Sequence, residues 1–209
     1  MSDCDRQDRG RAKQGVKYPV PETRGAGPSR RRFLAMVGMV AAALAVAGCQ
    51  AGAWRQKVSD ELPVLGHRNW IVIADSAYPA QSRAGIETLY TGADQAAAVK
   101  AVLAAVDASP HVRPVVYLDA ELPLVSDKDA PGIAAYRKEL AAVLGQRPVH
   151  SLPHEEIIAK LDKAGEVFRV LILKTDMTLP YTSVFVELNC GYWTAEAEQR
   201  LRDAIQAAK

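Results

Sequence analysis

The chain is short of the residues that announce the commonest chemistries. It has three cysteines in 209 residues, at 4, 49 and 190, and only four histidines. The mature part described below keeps Cys190 as its one free thiol, so neither a disulfide framework nor a cysteine metal cluster is expected. Aromatic residues make up 6%. No P-loop, no G-x-G-x-x-G turn and no G-x-S-x-G elbow occurs, which leaves NTPase, dinucleotide and serine-hydrolase readings without support. No internal repeat is present. The net charge is only +2, and the basic excess sits early, at Arg24 and Arg30 to Arg32. Without a basic stripe later in the chain, nucleic acid is not an expected partner.

What is present reads first as an address. Residues 1 to about 28 are polar and rich in Gly, Pro and charge, and are expected to be disordered. Then Ser29-Arg30-Arg31-Arg32-Phe33-Leu34 precedes an apolar run from Ala35 to Ala47. Charge followed by a run of that length is the layout of a signal peptide, too short for a comfortable permanent span. S-R-R-x-F-L resembles the twin-arginine export signal. Val46-Ala47-Gly48-Cys49 resembles a bacterial lipoprotein box, in which the cysteine sulfur carries a diacylglycerol. Acyl chains contribute about 0.8 kcal/mol per buried CH2, enough in combination to hold a protein on a bilayer. The expected organisation is a signal peptide over 1–48, a lipidated tether over 49–60 and one domain over 61–209. That domain would stand at the cell envelope, facing the periplasm or the exterior.

The remaining chain, 49% hydrophobic and 24% charged overall, has the composition of a globular domain. Residues 51 to about 61 read as a tether or a short first helix. Trp70 to Ala74 is an apolar, β-branched run ending at Asp75 and a Tyr78-Pro79 turn, the pattern of a buried strand. Gly92 to Val106 carries Ala, Val and Leu at helical spacing and stops at Ser109-Pro110. Val115 to Leu118 is a second strand candidate. Pro131 opens a second helix that closes at Gly145. Val149 reads as the core of a short strand, and His154 opens a helix to Lys163. Phe168 to Leu173 and Tyr181 to Leu188 read as strands, and Thr194 caps a final helix to Ala208. Strands alternating with helices predict an α/β fold, a central sheet with helices packed against it.

The histidines at 150 and 154 have the four-residue spacing that can chelate zinc on one helix. Pro153 interrupts that helix and no third ligand is near, so no metal is expected. His67 precedes the first strand and Asp75 follows it. At about 3.3 Å per residue they stand more than about 20 Å apart, so they meet only if two subunits share one site or the chain folds back. Taken alone, a lone His at a strand start is commonly exposed and a lone Asp at a strand end commonly a cap.

Gly66-His67-Arg68-Asn69-Trp70-Ile71-Val72-Ile73-Ala74-Asp75-Ser76-Ala77-Tyr78-Pro79 resembles the opening motif of the RbsD/FucU family, the ribose pyranases and fucose mutarotases, with the same interval from His to Asp. Pro180-Tyr181-Thr182-Ser183, followed by an apolar strand, is similar to that family's Pro-Tyr-small-Asn segment. His154-Glu155 falls where ribose pyranases place a sugar-contacting His. The resemblance spans roughly Leu65 to Leu188. It implies that His67 is the proton donor and that Asp75, His154, Tyr181 and Ser183 bind the sugar. It further implies a homo-oligomeric ring, a pentamer or decamer, with sites between subunits. Tyr78 or Trp193 could offer an apolar face to the sugar.

Ring opening and reclosure need one group to take the anomeric proton and another to protonate the ring oxygen. Imidazole, with an ordinary pKa of about 6.5, suits either role, and no cofactor is required. Three departures set the alternative: Ser183 stands for Asn and lacks its paired donor and acceptor, Ser76 stands for Ala or Gly, and the family's enzymes are cytoplasmic whereas this chain is expected to be exported and lipidated. That alternative is a non-catalytic sugar-binding or structural lipoprotein on the same fold, or an adaptor with no sugar site.

Overall fold

The computed structural model describes residues 52–208. The expected signal peptide, its twin-arginine motif and the lipidation residue Cys49 lie outside the described residues. Residues 52–61 form a helix, α1, which resolves the choice between tether and helix. Trp54 and Val58 of α1 are 3% and 2% exposed, so they belong to the packed body ahead of the expected boundary at 61.

Six strands and four further helices follow: β1 (Trp70–Ala74), β2 (Ile86–Tyr90), α2 (Gln95–Asp107), β3 (Val112–Asp119), α3 (Ile133–Leu144), β4 (Val149–Leu152), α4 (His154–Ala164), β5 (Val170–Lys174), β6 (Val184–Cys190) and α5 (Ala195–Ala207). They make one mixed sheet in the order β2-β5-β1-β6-β3-β4. β5 runs parallel to both β1 and β2, β4 runs parallel to β3, and β6 is antiparallel to β1 and β3. The carboxyl ends of β1, β3, β4 and β5 therefore share one edge of the sheet with the amino end of β6.

Side chains alternate across this sheet as the strand period demands. Ile71, Ile73, Leu171, Leu173, Val184, Val186 and Leu188 face one core, covered by α1, α2 and α3. Trp70, Val72, Ala74, Val170, Ile172 and Phe185 face a second core, covered by Ile157 and Leu161 of α4. With helices on both faces, the central strands are apolar on both sides, hence the unbroken Trp70-to-Ala74 run. α5 buries none of its residues.

Sequence expectations change at four of the strands. β2 was absent from them: Ile86-Glu87-Thr88-Leu89-Tyr90 is an edge strand without a clean apolar pattern, and none of its residues is fully buried. β3 begins at Val112, three residues before the expected start. Pro114 is tolerated there because residues 112–115 pair with β6 alone and β4 joins only from Val116 onward. β4 exists, but Val149 is 37% exposed because β4 is the other sheet edge. β6 starts at Val184 and not at Tyr181, whose φ of 58° is incompatible with a strand.

Candidate functional site

The carboxyl edge of the sheet gathers the polar residues. Asp75 leaves β1 and turns at once: its Oδ1 accepts from the Ala77 amide at 2.9 Å. Its other oxygen, Oδ2, accepts from the Ser183 hydroxyl at 2.9 Å, and that hydroxyl oxygen accepts from the Asp75 amide at 3.2 Å. Ser183 is 2% exposed, with its single hydroxyl engaged by Asp75 on both sides. It holds the aspartate and is not among the residues that line the cavity beside it.

The cavity itself, about 390 Å³, is lined among others by Asp75, Tyr78, Gln81, His154, Glu155 and Tyr181. That volume lies within the range of small-molecule sites. Tyr181 takes the left-handed backbone region, rare for a bulky residue, and its ring meets that of His154 edge-on with centroids 5.7 Å apart. Tyr78 packs against Phe185, and burial pushes its hydroxyl pKa up to about 12, so it enters the cavity as a neutral phenol. Among the described residues no Lys or Arg lines this cavity.

His154 is the first residue of α4. Its amide is capped by the Glu121 carboxylate, both oxygens at 3.1 Å, in keeping with the positive end of a helix. The ring Nδ1 is 3.1 Å from Asp119 Oδ1. Asp119, the last residue of β3, is 1% exposed, and its Oδ2 has no hydrogen-bond partner among the described residues. Burial raises its carboxyl pKa, opposed by the hydrogen bond from His154. Sequence reading passed over Asp119 and Glu121. The available signal was an acid directly after the Val115-to-Leu118 strand candidate, the position that singled out Asp75.

Behind the cavity a buried amide ties the segments together. Gln95 Nε2 donates to the Ile73 carbonyl at 3.0 Å and to the Thr182 carbonyl at 2.8 Å, while its Oε1 accepts from the Thr175 hydroxyl. Tyr136 donates to the same Thr182 carbonyl at 2.7 Å.

His67 is not part of this arrangement within one chain. It is exposed at the opposite end of β1, beside a cleft of about 310 Å³ with Arg68, Lys160, Lys163, Phe168 and Glu187. Trp193 lies past the far end of β6, where its indole donates to Glu198 at 2.8 Å, and it does not reach the cavity. His150 stacks on Tyr117 at 5.1 Å, and His111 Nε2 lies 3.0 and 3.1 Å from the Leu62 and Leu65 carbonyls. Among the described residues no three His, Cys, Asp or Glu side chains are grouped to hold a metal ion. No helix among them is long and apolar enough to cross a membrane.

No curated protein matches the chain. Solved structures similar to it include Bacillus subtilis RbsD complexed with D-ribose, at 22% identity over 63% of this chain and 89% of that one, with a TM-score of 0.43. The fucose mutarotase of Streptococcus pneumoniae in complex with L-fucose is 19% identical over 61% of this chain and 87% of that one, with a TM-score of 0.41. FucU from Bifidobacterium longum is 19% identical over 63% and 92%, with a TM-score of 0.40. The model of the RbsD / FucU transport protein family matches residues 51–189, most of the chain and every strand but the last residue of β6. The chain belongs to the RbsD / FucU family.

Proposed function

We propose that this protein interconverts ring forms or anomers of an uncharged monosaccharide by acid/base catalysis. The observation that carries the reading is the convergence of Asp75, His154 and Tyr181 on one cavity, in a chain of this family. Asp75 and Tyr181 would position sugar hydroxyls, with Ser183 fixing Asp75. A cavity bordered by carboxylates and lacking Lys and Arg suits a neutral sugar better than a phosphorylated or acidic one.

His67 enters this scheme from a second copy of the chain. Its cleft carries three basic residues (Arg68, Lys160, Lys163) against one acid, Glu187, whereas Asp75, Asp119, Glu121 and Glu155 make the other end of the sheet acidic. Opposite charge at the two ends favours head-to-tail association, which closes into a ring when the rotation permits. A pentamer or decamer is the assembly that the family resemblance implies.

The export signal and Cys49 add a location: the domain works at the cell envelope, held by lipid on Cys49. Incorporation of labelled fatty acid, lost in Cys49→Ser, would support this; unchanged labelling, or none in the unmodified chain, would refute it.

Saturation-transfer NMR on the purified protein tests the activity directly. Exchange of ribose, fucose, galactose or glucose forms should exceed the buffer rate, and His67→Ala should remove the excess. A protein no faster than buffer with all four sugars refutes the enzymatic reading. A second reading, a sugar binder without turnover, is favoured by Ser183, whose hydroxyl is committed to Asp75 where the family motif has Asn. Calorimetric sugar binding without NMR exchange would select it.

A further inference from the structure

Ring opening needs two proton carriers, and His67 is only one. We infer that His154, oriented by the buried carboxylate of Asp119, is the second proton carrier of this site, with Asp119 as its positioning residue; this rests on the sugar-exchange reading above.

The geometry is that of a carboxylate–imidazole pair. Asp119 Oδ1 lies 3.1 Å from His154 Nδ1, with the Asp119 side chain fully buried and the His154 side chain 32% exposed. A carboxylate at that position accepts the Nδ1 proton and leaves the Nε2 lone pair for the exposed side of the ring. The ring is also restrained by the edge-on contact with Tyr181, and its backbone by the Glu121 cap. Two restraints and a fixed tautomer are what a proton-transfer group requires.

Packing alone does not account for Asp119. A buried carboxylate with one oxygen lacking any hydrogen-bond partner is destabilising, and a neutral or apolar residue at the end of β3 would avoid that. Among the described residues, the one hydrogen-bonding partner of its side chain is a histidine that lines the candidate cavity.

The step balances without a co-reactant. His154 Nε2 takes the proton of the anomeric hydroxyl as the C1–ring-oxygen bond breaks and the C1 carbonyl forms. His67 of the second copy gives a proton to the departing ring oxygen. Reclosure, on either face of the carbonyl, returns both protons, so neither the sugar nor the protein changes its proton count.

Nitrogen-15 NMR of histidine in the purified full-length protein tests the pair independently of activity. Neutral His154 should carry its proton on Nδ1 in the wild type and shift toward the Nε2–H form in Asp119→Ala. In exchange assays, Asp119→Asn and His154→Gln should each lower the turnover rate about tenfold to a hundredfold, and Asp119→Asn should do so with little change in sugar affinity. The double variant should be little slower than either single one, because the two side chains act as a unit. An Nε2–H tautomer in the wild type, or one unaltered by Asp119→Ala, overturns the pair even in an active enzyme. So does undiminished exchange by Asp119→Asn. An inactive wild type overturns the exchange reading itself, and with it the proton-carrying role, whatever the tautomer.

Discussion

Gln95 allows the physical account of the site's scaffold to be tested without knowing the substrate. Its side chain, 1% exposed, joins the end of β1, through the Ile73 carbonyl, to the segment before Ser183, through the Thr182 carbonyl. Gln95→Leu keeps the volume and removes all three hydrogen bonds. The losses are partial. Thr182 keeps the Tyr136 hydroxyl as a donor, Thr175 keeps the Ala74 carbonyl at 3.1 Å as an acceptor, and Ile73 stays paired with Val184 in the β1–β6 ladder. Buried polar groups that lose a partner cost about 1–3 kcal/mol each, so three partial losses suggest about 2–4 kcal/mol. For a domain of this size that corresponds to a fall in Tm of about 5–15 °C. Urea unfolding followed by tryptophan fluorescence should show the lower midpoint with an unchanged m-value. Any sugar exchange should fall as well, since Asp75 and Ser183 lose their backing. A stability change below about 0.5 kcal/mol would mean that the amide is not the tie described here.

Asp119→Asn should show a stability change that depends on pH. Burial raises the Asp119 pKa, so the folded state holds its proton to higher pH than the unfolded one. The wild type therefore loses stability as pH rises from the ordinary carboxylate pKa through the raised folded value, and the asparagine variant does not. Variant minus wild-type stability should grow across that window and level off above it; a difference independent of pH would refute the argument. Gly191→Ala would place a Cβ 2.8 Å from the Pro110 carbonyl oxygen and the Val112 amide nitrogen, and 2.9 Å from the His111 carbonyl carbon. All three are backbone atoms, so a loss of about 1–3 kcal/mol is expected in thermal unfolding, and an unchanged Tm would contradict the close crossing. Ser183→Ala leaves the Asp75 amide and Oδ2 without their shared partner, which should cost about 1–2 kcal/mol of stability and weaken sugar binding measured by calorimetry. Unchanged affinity would show that Asp75 does not need this support.

The central strands and most helices were legible because their burial is extreme. Trp70 to Ala74, Val170 to Leu173 and the apolar part of β6 lie between two helical layers, and such strands must be apolar throughout. The edges were harder to read. β2 and β4 are paired on one side only and half-exposed, so their sequences carry little pattern, and β2 went unrecognised. Local stereochemistry also misled: Tyr181 is β-prone by type but occupies a left-handed turn, which only the surrounding fold can impose.

Asp75, Tyr181 and His154 could be singled out from motif positions, and the separation of His67 from Asp75 follows from the rise of an extended strand. Those are short-range facts, set by covalent geometry and residue order. The partners of these residues were not legible in the same way. Asp119 reaches His154 across 35 positions, Ser183 reaches Asp75 across 108, and Gln95 spans 80 to Thr175. Hydrogen bonds at such separations depend on strand order and register, which pattern along the chain does not encode and only packing of the whole sheet decides.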